Sequence, residues 1–335
     1  MTANQTAMVE GFRRLGVDAV ACYFGKYDEY RRNLLAWQER PAGEHEYFVS
    51  SLAEAKRRIP DYDQRAQVVP GYWGWMVWKL TLDCIIHRRT WYLITEGSSG
   101  SPYTWILRKL MAWAANRWAK QVLCIGEKAC REFEALGVEK TKITWTAYAT
   151  PEVPPEVVSA ERSSEECVFV YVGALTERKA CDLLAAAWKR VHEEVKKTRL
   201  LVVGEGPLKP LFTGLDGVEL RGAVPPERVY AEIAGGDVII LVSRYDPWGV
   251  ALMEGAMCGM AMIGSDAVNS AELIEDGING RRVRAGDLED LVRAMREYAL
   301  NPAAARHQGA AAHRTALKTT GTALANGKWK MENES

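Results

Sequence analysis

The chain has 335 residues, with 43 Lys+Arg against 43 Asp+Glu, and is 48% hydrophobic and 26% charged. That is globular composition of a length that suits two domains, and net neutrality gives no reason to expect nucleic acid as a partner. The seven cysteines are odd in number and contain no C-x-x-C pair, which fits neither a zinc site nor a disulfide framework and suits a reducing cytoplasm.

The opening "MTANQTAMVEGFRR" lacks the apolar stretch of a signal peptide. After it, "DAVACYF", "AQVVPG", "TWYLITEG" and "KQVLCIG" read as strands beside helical patterns, predicting an α/β domain over residues 1–150. The longest apolar region, "GYWGWMVWKLTLDCII", is broken by Lys79 and Asp83, so no membrane span is expected. The reading is a cytoplasmic protein, at most peripheral to the inner face of a membrane.

Charge and tryptophan are concentrated in this first part. Residues 71–120 hold seven basic residues against Asp83 and Glu96, and seven of the twelve tryptophans lie between Trp73 and Trp118. "WILRKLMAWAANRWAKQ" places Trp105, Trp113 and several cations on one helical stretch. Two readings fit: a packed helix with a basic outer face, or one that rests on an anionic membrane surface.

The stretch 151–166 is rich in Pro, Ser and Glu without a period and reads as a linker. From residue 167 to 300, the runs "CVFVYVG", "RLLVVG", "VELRG", "DVIILVS" and "MAMIGS" alternate with helical segments such as "CDLLAAAWKRVHEEV". Runs apolar on both faces and separated by helices predict a doubly wound parallel sheet. Residues 301–335 approach low complexity and are expected to be a tail or helix. Ligands of such sheets sit beyond the carboxyl ends of the strands, and two such domains would face each other across a cleft.

In "SRYDPWGVALMEGAMCG" a helix is expected to open at Pro247 or Trp248, and its first N–H groups would form an anion site. Asp246 precedes Glu254 by eight residues, about 12 Å along a helix, too far for a touching acid/base pair. The two carboxylates can instead bracket a long ligand with hydroxyls at both ends and negative charge between, as in a sugar joined through a diphosphate to a ribose. A capping Asp246 and a solvated Glu254 fit the spacing equally well.

The segment "DPWGVALMEGAMCGMAMIGSDAVNSAELIEDGINGRRV" resembles the signature region of the retaining GT-B glycosyltransferases of family four, also called group one. The resemblance runs back through "DVIILVSRYDPWG", "VELRGAVP", "LLVVGEGPL" and "VYVGALTERKACDLLAAAW", and more weakly to "RWAKQVLCIGEKACREFEALGVEKTKITWTAYATPEV". It implies two Rossmann-like domains, the first for the acceptor and the second for a nucleoside-diphosphate sugar, with no metal and no cofactor. It further implies that Arg178 and Lys179 bind the diphosphate and that Gly173 permits close backbone approach. Gly204, Glu205 and the backbone of Val224 would line the nucleotide side. Asp246 would hold sugar hydroxyls, Glu254 the ribose, and Trp248, Gly249 and Val250 the anionic middle of the donor. The acceptor implied is a glycan or a lipid-linked glycan.

The sequence departs from that pattern at three points. Ala174 stands where an arginine is usual, Asp246 replaces a commoner Glu, and the chain opens in a helix rather than in a strand with a Gly-rich loop. These departures motivate the alternative of a noncatalytic nucleotide-sugar-binding subunit or pseudoenzyme. Glu96 and the following "GSSGS" are expected at a strand end on the acceptor side, a flexible loop being the other reading. His45 and His87 match no catalytic position, and the D-x-D of Asp61 and Asp63 is a spacing that arises readily by chance.

Overall fold

The computed structural model describes residues 3–24, 44–97, 102–158 and 166–325. Ser98–Ser101, residues 159–165 of the expected linker and the last ten residues lie outside the described residues. Among the described residues the chain divides into two compact units, one of residues 12–24 and 44–148 and one of residues 3–11 and 149–325.

The chain opens in α1 (Ala3–Arg14). In the first unit, β1 (Ala21–Phe24) and β2 (Glu46–Val49) form a short parallel pair, with α2 (Leu52–Arg58) packing Ala55 beside Val49. A separate four-stranded parallel sheet contains β3 (Gln67–Pro70), β4 (Trp91–Glu96), β5 (Gln121–Ile125) and β6 (Ile143–Thr146), in that spatial order. Its crossovers are α3 (Trp75–Ile86), α4 (Pro102–Trp118) and α5 (Glu127–Ala135). Chain order and spatial order coincide, so right-handed crossovers put all three helices on one face. The core agrees: Leu80, Cys84, Met111, Ala115 and Phe133 from the helices pack with Val69, Leu93 and Val122 from the strands.

The second unit is a six-stranded parallel sheet built from β7 (Cys167–Val172), β8 (Thr198–Val203), β9 (Val218–Gly222), β10 (Val238–Leu241), β11 (Ala261–Ser265) and β12 (Gly280–Val283). Their spatial order is β12-β11-β10-β7-β8-β9. Its helices are α6 (Cys181–Glu194), α7 (Val229–Ile233), α8 (Val250–Met257), α9 (Leu288–Leu300) and α10 (Pro302–Leu317). The central strands are apolar on both faces because both are covered. Phe169, Tyr171 and Ile240 pack with Leu184, Trp188 and Leu291 of α6 and α9. On the other face, Gly255 of α8 lies so near Ile239 that a Cβ would come within 2.3 Å of it. α6 meets its core through Leu184, Ala187, Trp188 and Val191, the spacing of one helical face.

Residues 302–317 of the expected tail form a packed helix. Asn301 caps α10 by accepting from the Ala304 N–H, Pro302 occupies the first turn, and Ala305, Ala312 and Ala316 are buried. Arg306 reaches the fully buried Asp237, whose second oxygen accepts from the Val168 N–H at 2.9 Å, tying the helix to the centre of the sheet. Gly309 permits this approach, since a Cβ there would lie 2.1 Å from the Gly259 carbonyl oxygen. At an exposed helical site Gly→Ala gains about 1 kcal/mol. Here the steric conflict is expected to win, and Gly309→Ala should lower stability by roughly 1–3 kcal/mol in urea titrations.

Candidate functional site

The strand order of the second unit reverses at β7, which pairs with β8 on one side and β10 on the other. The segments leaving β7 and β10 therefore emerge side by side at the carboxyl edge of the sheet, where open α/β sheets bind ligands. Residues 173–180 leave β7 and residues 242–249 leave β10, so the reversal brings together Gly173, Arg178 and Lys179 with Asp246, Trp248 and Gly249. Gly204 and Glu205 follow β8, and Val224 follows β9, on the same edge.

Arginines clamp the two central segments. Arg244 forms a bidentate pair with Asp182 at the start of α6, at 2.7 and 2.6 Å, and donates to the Glu177 carbonyl at 2.6 Å. In return Arg178 donates to the Tyr245 carbonyl at 2.9 Å, and the Arg244 N–H bonds the Arg178 carbonyl. The Arg244 hydrogen bonds hold the Asp182 carboxyl below the usual carboxylate range. Within this clamp Lys179 is ion-paired with Asp246, both side chains being largely buried. The two residues expected at opposite parts of a donor, a phosphate cation and a sugar-binding carboxylate, are thus each other's partner.

The helix after β10 starts later than expected. α8 begins at Val250, with Gly249 at its N-cap, not at Pro247 or Trp248. Residues 246–248 are held against the segment after β11: the Asp246 N–H bonds the Ala267 carbonyl, and the Ser270 N–H bonds the Trp248 carbonyl. Gly249 then turns the chain into the helix at φ +87°, where a side chain would strike Val268 and Leu241. The Trp248 ring is buried, so of that residue only the backbone faces the site, and its N–H is directed at the Asp246 carboxylate at 3.4 Å. Among the described residues the N–H groups of Gly249, Val250 and Ala251 have no protein acceptor, which leaves the helix start as a set of open donors.

The Glu254 carboxylate, on the fifth residue of α8, has no hydrogen-bond or ion-pair partner among the described residues, while the backbone carbonyl accepts from the Cys258 N–H. Burial pushes its carboxyl up to about 7, against the opposing pull of the Lys179 ammonium. Both expected carboxylates therefore stand around the same lysine.

Gly204 packs on the segment after β7, where a Cβ would lie 1.9 Å from the Gly173 carbonyl oxygen. Glu205 pairs with Lys209 at 2.6 Å, its carboxylate lying over Gly222 at the end of β9. Sequence reasoning missed the Arg244–Asp182 clamp, whose members are 62 residues apart. It also missed Tyr230 on α7. That hydroxyl is buried without a hydrogen-bond partner and is pushed up by burial and then by the charge of Glu254. An aromatic residue inside an amphipathic helix carries no signal in sequence that would separate it from ordinary core.

In the first unit Glu96 ends β4, in register with Ile125, while Ser98–Ser101 of "GSSGS" lie outside the described residues. His45 immediately precedes β2, and His87 ends α3 with Nδ1 at 3.0 Å from the Asp83 carbonyl; each lies ahead of the amino end of a strand. Asp63 is paired with Arg89 at 2.6 Å, and Asp61 is an exposed turn residue.

Comparison with known proteins bears on the family and the fold. Residues 166–301 match the family described as Glycosyl transferases group 1. The gpi3 subunit of phosphatidylinositol N-acetylglucosaminyltransferase from Schizosaccharomyces pombe is 23% identical over 209 residues, covering 57% of this chain and 45% of the relative. The GDP-mannose-dependent alpha-(1-6)-phosphatidylinositol monomannoside mannosyltransferase of Mycolicibacterium smegmatis is 26% identical over 177 residues, covering 47% and 46%. The chain thus spans less than half the length of these relatives. Anabaena Alr3699/HepE, solved in complex with UDP and glucose, superposes with a TM-score of 0.72 at 15% identity, covering 99% of this chain and 96% of that one. Sucrose-phosphate synthase from Thermosynechococcus elongatus gives 0.68 at 17% identity, covering 98% and 92%. The fold is GT-B, that of glycosyltransferases, with two Rossmann-like units.

The raised carboxyl of Glu254 sets a sign for stability. The folded state favours its protonated form, so its ionisation lowers stability as pH rises from about 4.5, and the cost is complete above about 7. Glu254→Gln, neutral throughout, is expected to gain thermal stability over the parent at pH 8 but not at pH 4. Melting curves of both proteins across that range check it.

Proposed function

We propose that the chain is a retaining glycosyltransferase that moves a hexose-like sugar from a nucleoside diphosphate to a glycan or lipid-linked acceptor. The second unit binds the donor and the first the acceptor. The observation that carries this reading is the cluster at the reversal of the sheet: Lys179 held by Asp246, the open amides that start α8, and the unpartnered Glu254. A metal-free diphosphate needs fixed positive charge and backbone donors together, and the cluster offers both. The family match over residues 166–301 supports it, as do the UDP and glucose carried by the Anabaena neighbour.

In this reading Lys179 exchanges one anion for another. On donor binding it turns from Asp246 to the phosphate nearer the sugar, which frees the Asp246 carboxylate to accept from sugar hydroxyls while Glu254 accepts from the ribose. The exchange keeps the lysine paired throughout, and the sugar hydroxyls replace it as partners of the Asp246 carboxylate. The sugar leaves its phosphate oxygen and is attacked from the same face by an acceptor hydroxyl, whose proton passes to the departing phosphate. Arg178, Lys179 and the start of α8 stabilise the charge that develops on that phosphate.

Lys179→Ala and Glu254→Ala are each expected to weaken nucleotide-sugar binding about 10- to 100-fold, the loss of a charge-assisted hydrogen bond, without unfolding the protein. Calorimetric titration with a panel of nucleotide sugars checks this, and unchanged affinity in both variants would overturn the site. Incubating the parent with the same panel and a membrane lipid extract tests turnover. Release of nucleoside diphosphate is expected; tight binding without release would instead make the chain a nucleotide-sugar-binding subunit.

A further inference from the structure

The outer surface of the first unit is the reverse of what a solvated helix layer should be. On α3 the exposed positions are Trp75, Lys79, Leu82 and Ile86, a single stripe preceded by exposed Trp73. On α4 they include Trp105, Ile106, Lys109, Leu110, Trp113, Arg117 and Trp118. The exposure is large, 62% for Trp75, 71% for Ile86 and 61% for Trp113. The two helices are successive crossovers on one face of the sheet, so their outer stripes adjoin. Their inner faces already fill the core through Leu80, Cys84, Met111 and Ala115. An adjoining array of this many large apolar side chains exceeds the single scattered exposures that need no explanation, and marks a surface meant to be covered.

Charge identifies what covers it. α4 contains no Asp or Glu, and the single acid of α3, Asp83, is buried between Lys56 and Arg89. Lys79, Lys109, Arg117 and Lys120 are exposed, and among the described residues none is paired with a carboxylate. Three of these cations lie over rings of the same surface, with Lys79 4.1 Å from Trp75, Lys109 5.0 Å from Trp105 and Arg117 6.0 Å from Trp118. Each ammonium or guanidinium thus stands at the level of an indole. Protein interface cores favour aromatic residues but are depleted in lysine. Tryptophan interleaved with lysine and arginine, with no acid among them, matches the level of lipid headgroups, where rings enter the acyl boundary and cations meet phosphate.

We propose that the outer face of α3 and α4 docks on an anionic phospholipid bilayer, with Trp73, Trp75, Trp105 and Trp113 as the inserted anchors. No helix among the described residues is long and apolar enough to cross a membrane, so the contact is with one leaflet. The surface is independent of the donor site, although a bilayer-bound first unit is where a lipid-linked acceptor would be met.

The test is sedimentation of the full chain with mixed phosphatidylcholine and phosphatidylglycerol vesicles, against phosphatidylcholine alone, at low and high salt. Binding is expected to the mixed vesicles and to weaken with salt. Trp105→Ser combined with Trp113→Ser should lower partitioning about tenfold or more, and Lys79→Glu combined with Lys109→Glu should remove the preference for anionic lipid. All four positions are exposed, and melting curves verify folding. Failure of the parent to bind mixed vesicles, or undiminished binding of the tryptophan variant, overturns the proposal. So does light scattering that finds a dimer of the parent dissociated by the same substitutions, since the occupant would then be a second copy. Nucleotide-sugar affinity measured on these variants is expected to be unchanged, which separates a failure of docking from a failure of the donor site.

Discussion

The pairing of β7 with β10 is the constraint on which the candidate site depends. Those strands are about 70 residues apart in the chain, yet Val238 sits opposite Phe169 and Ile239 opposite Val170. Only because the sheet grows outward in both directions from β7 do the residues after Val172 and after Leu241 leave the same edge together. The Arg244–Asp182 clamp, the contact of Arg178 with Tyr245 and the Lys179–Asp246 pair all follow from that adjacency. A sheet that grew in one direction alone would have kept them apart.

The electrostatics of the site follow from how little protein charge is left unpaired there. Lys179 is nearly surrounded, by Asp246 as partner and by Glu254 as a more distant acid. Glu254 has only that distant cation to offset burial, and its carboxyl is correspondingly raised. A largely buried lysine that stands between two acids is an arrangement in which an added diphosphate changes the partner of the lysine without leaving that cation unpaired. The open amides at Gly249, Val250 and Ala251 add donors that need no proton bookkeeping. The Tyr230 hydroxyl on α7, buried and unpartnered, feels the charge of Glu254 from that side.

The two units use the same parallel architecture for different surfaces. In the second, helices cover both faces of the sheet and the candidate site lies at its carboxyl edge. In the first, the layer of α3, α4 and α5 buries one face of its helices in the core, while α3 and α4 present tryptophan, isoleucine and lysine outward. An ordinary amphipathic helix puts its second face in water; these two are apolar on both sides, separated by direction rather than by sequence distance.

Much of the second unit was legible in the chain alone. β7 lies at the predicted CVFVYV, β10 within DVIILVS, and α6 at CDLLAAAWKRVHEE, because strands buried on both faces and a strongly amphipathic helix leave patterns set by local periodicity. Short elements such as β2, β6 and β12 were not read, since four residues of mixed burial carry too little pattern. The types of residue at the site were legible too, as the spacing from Asp246 to Glu254 and the Arg178–Lys179 pair lie within single segments. Their partnership was not: that Lys179 meets Asp246, that α8 waits until Gly249 to begin, and that Trp248 turns inward are decided by segments 67 residues apart and by packing on the loop after β11. Likewise the sequence set tryptophans and cations on one helix but left open which side they faced. Only the sheet, by taking Met111, Ala112 and Ala115 into its core, decided that Trp105 and Trp113 point outward, because a helix can give the core one face alone and the smaller residues pack closest to the strands.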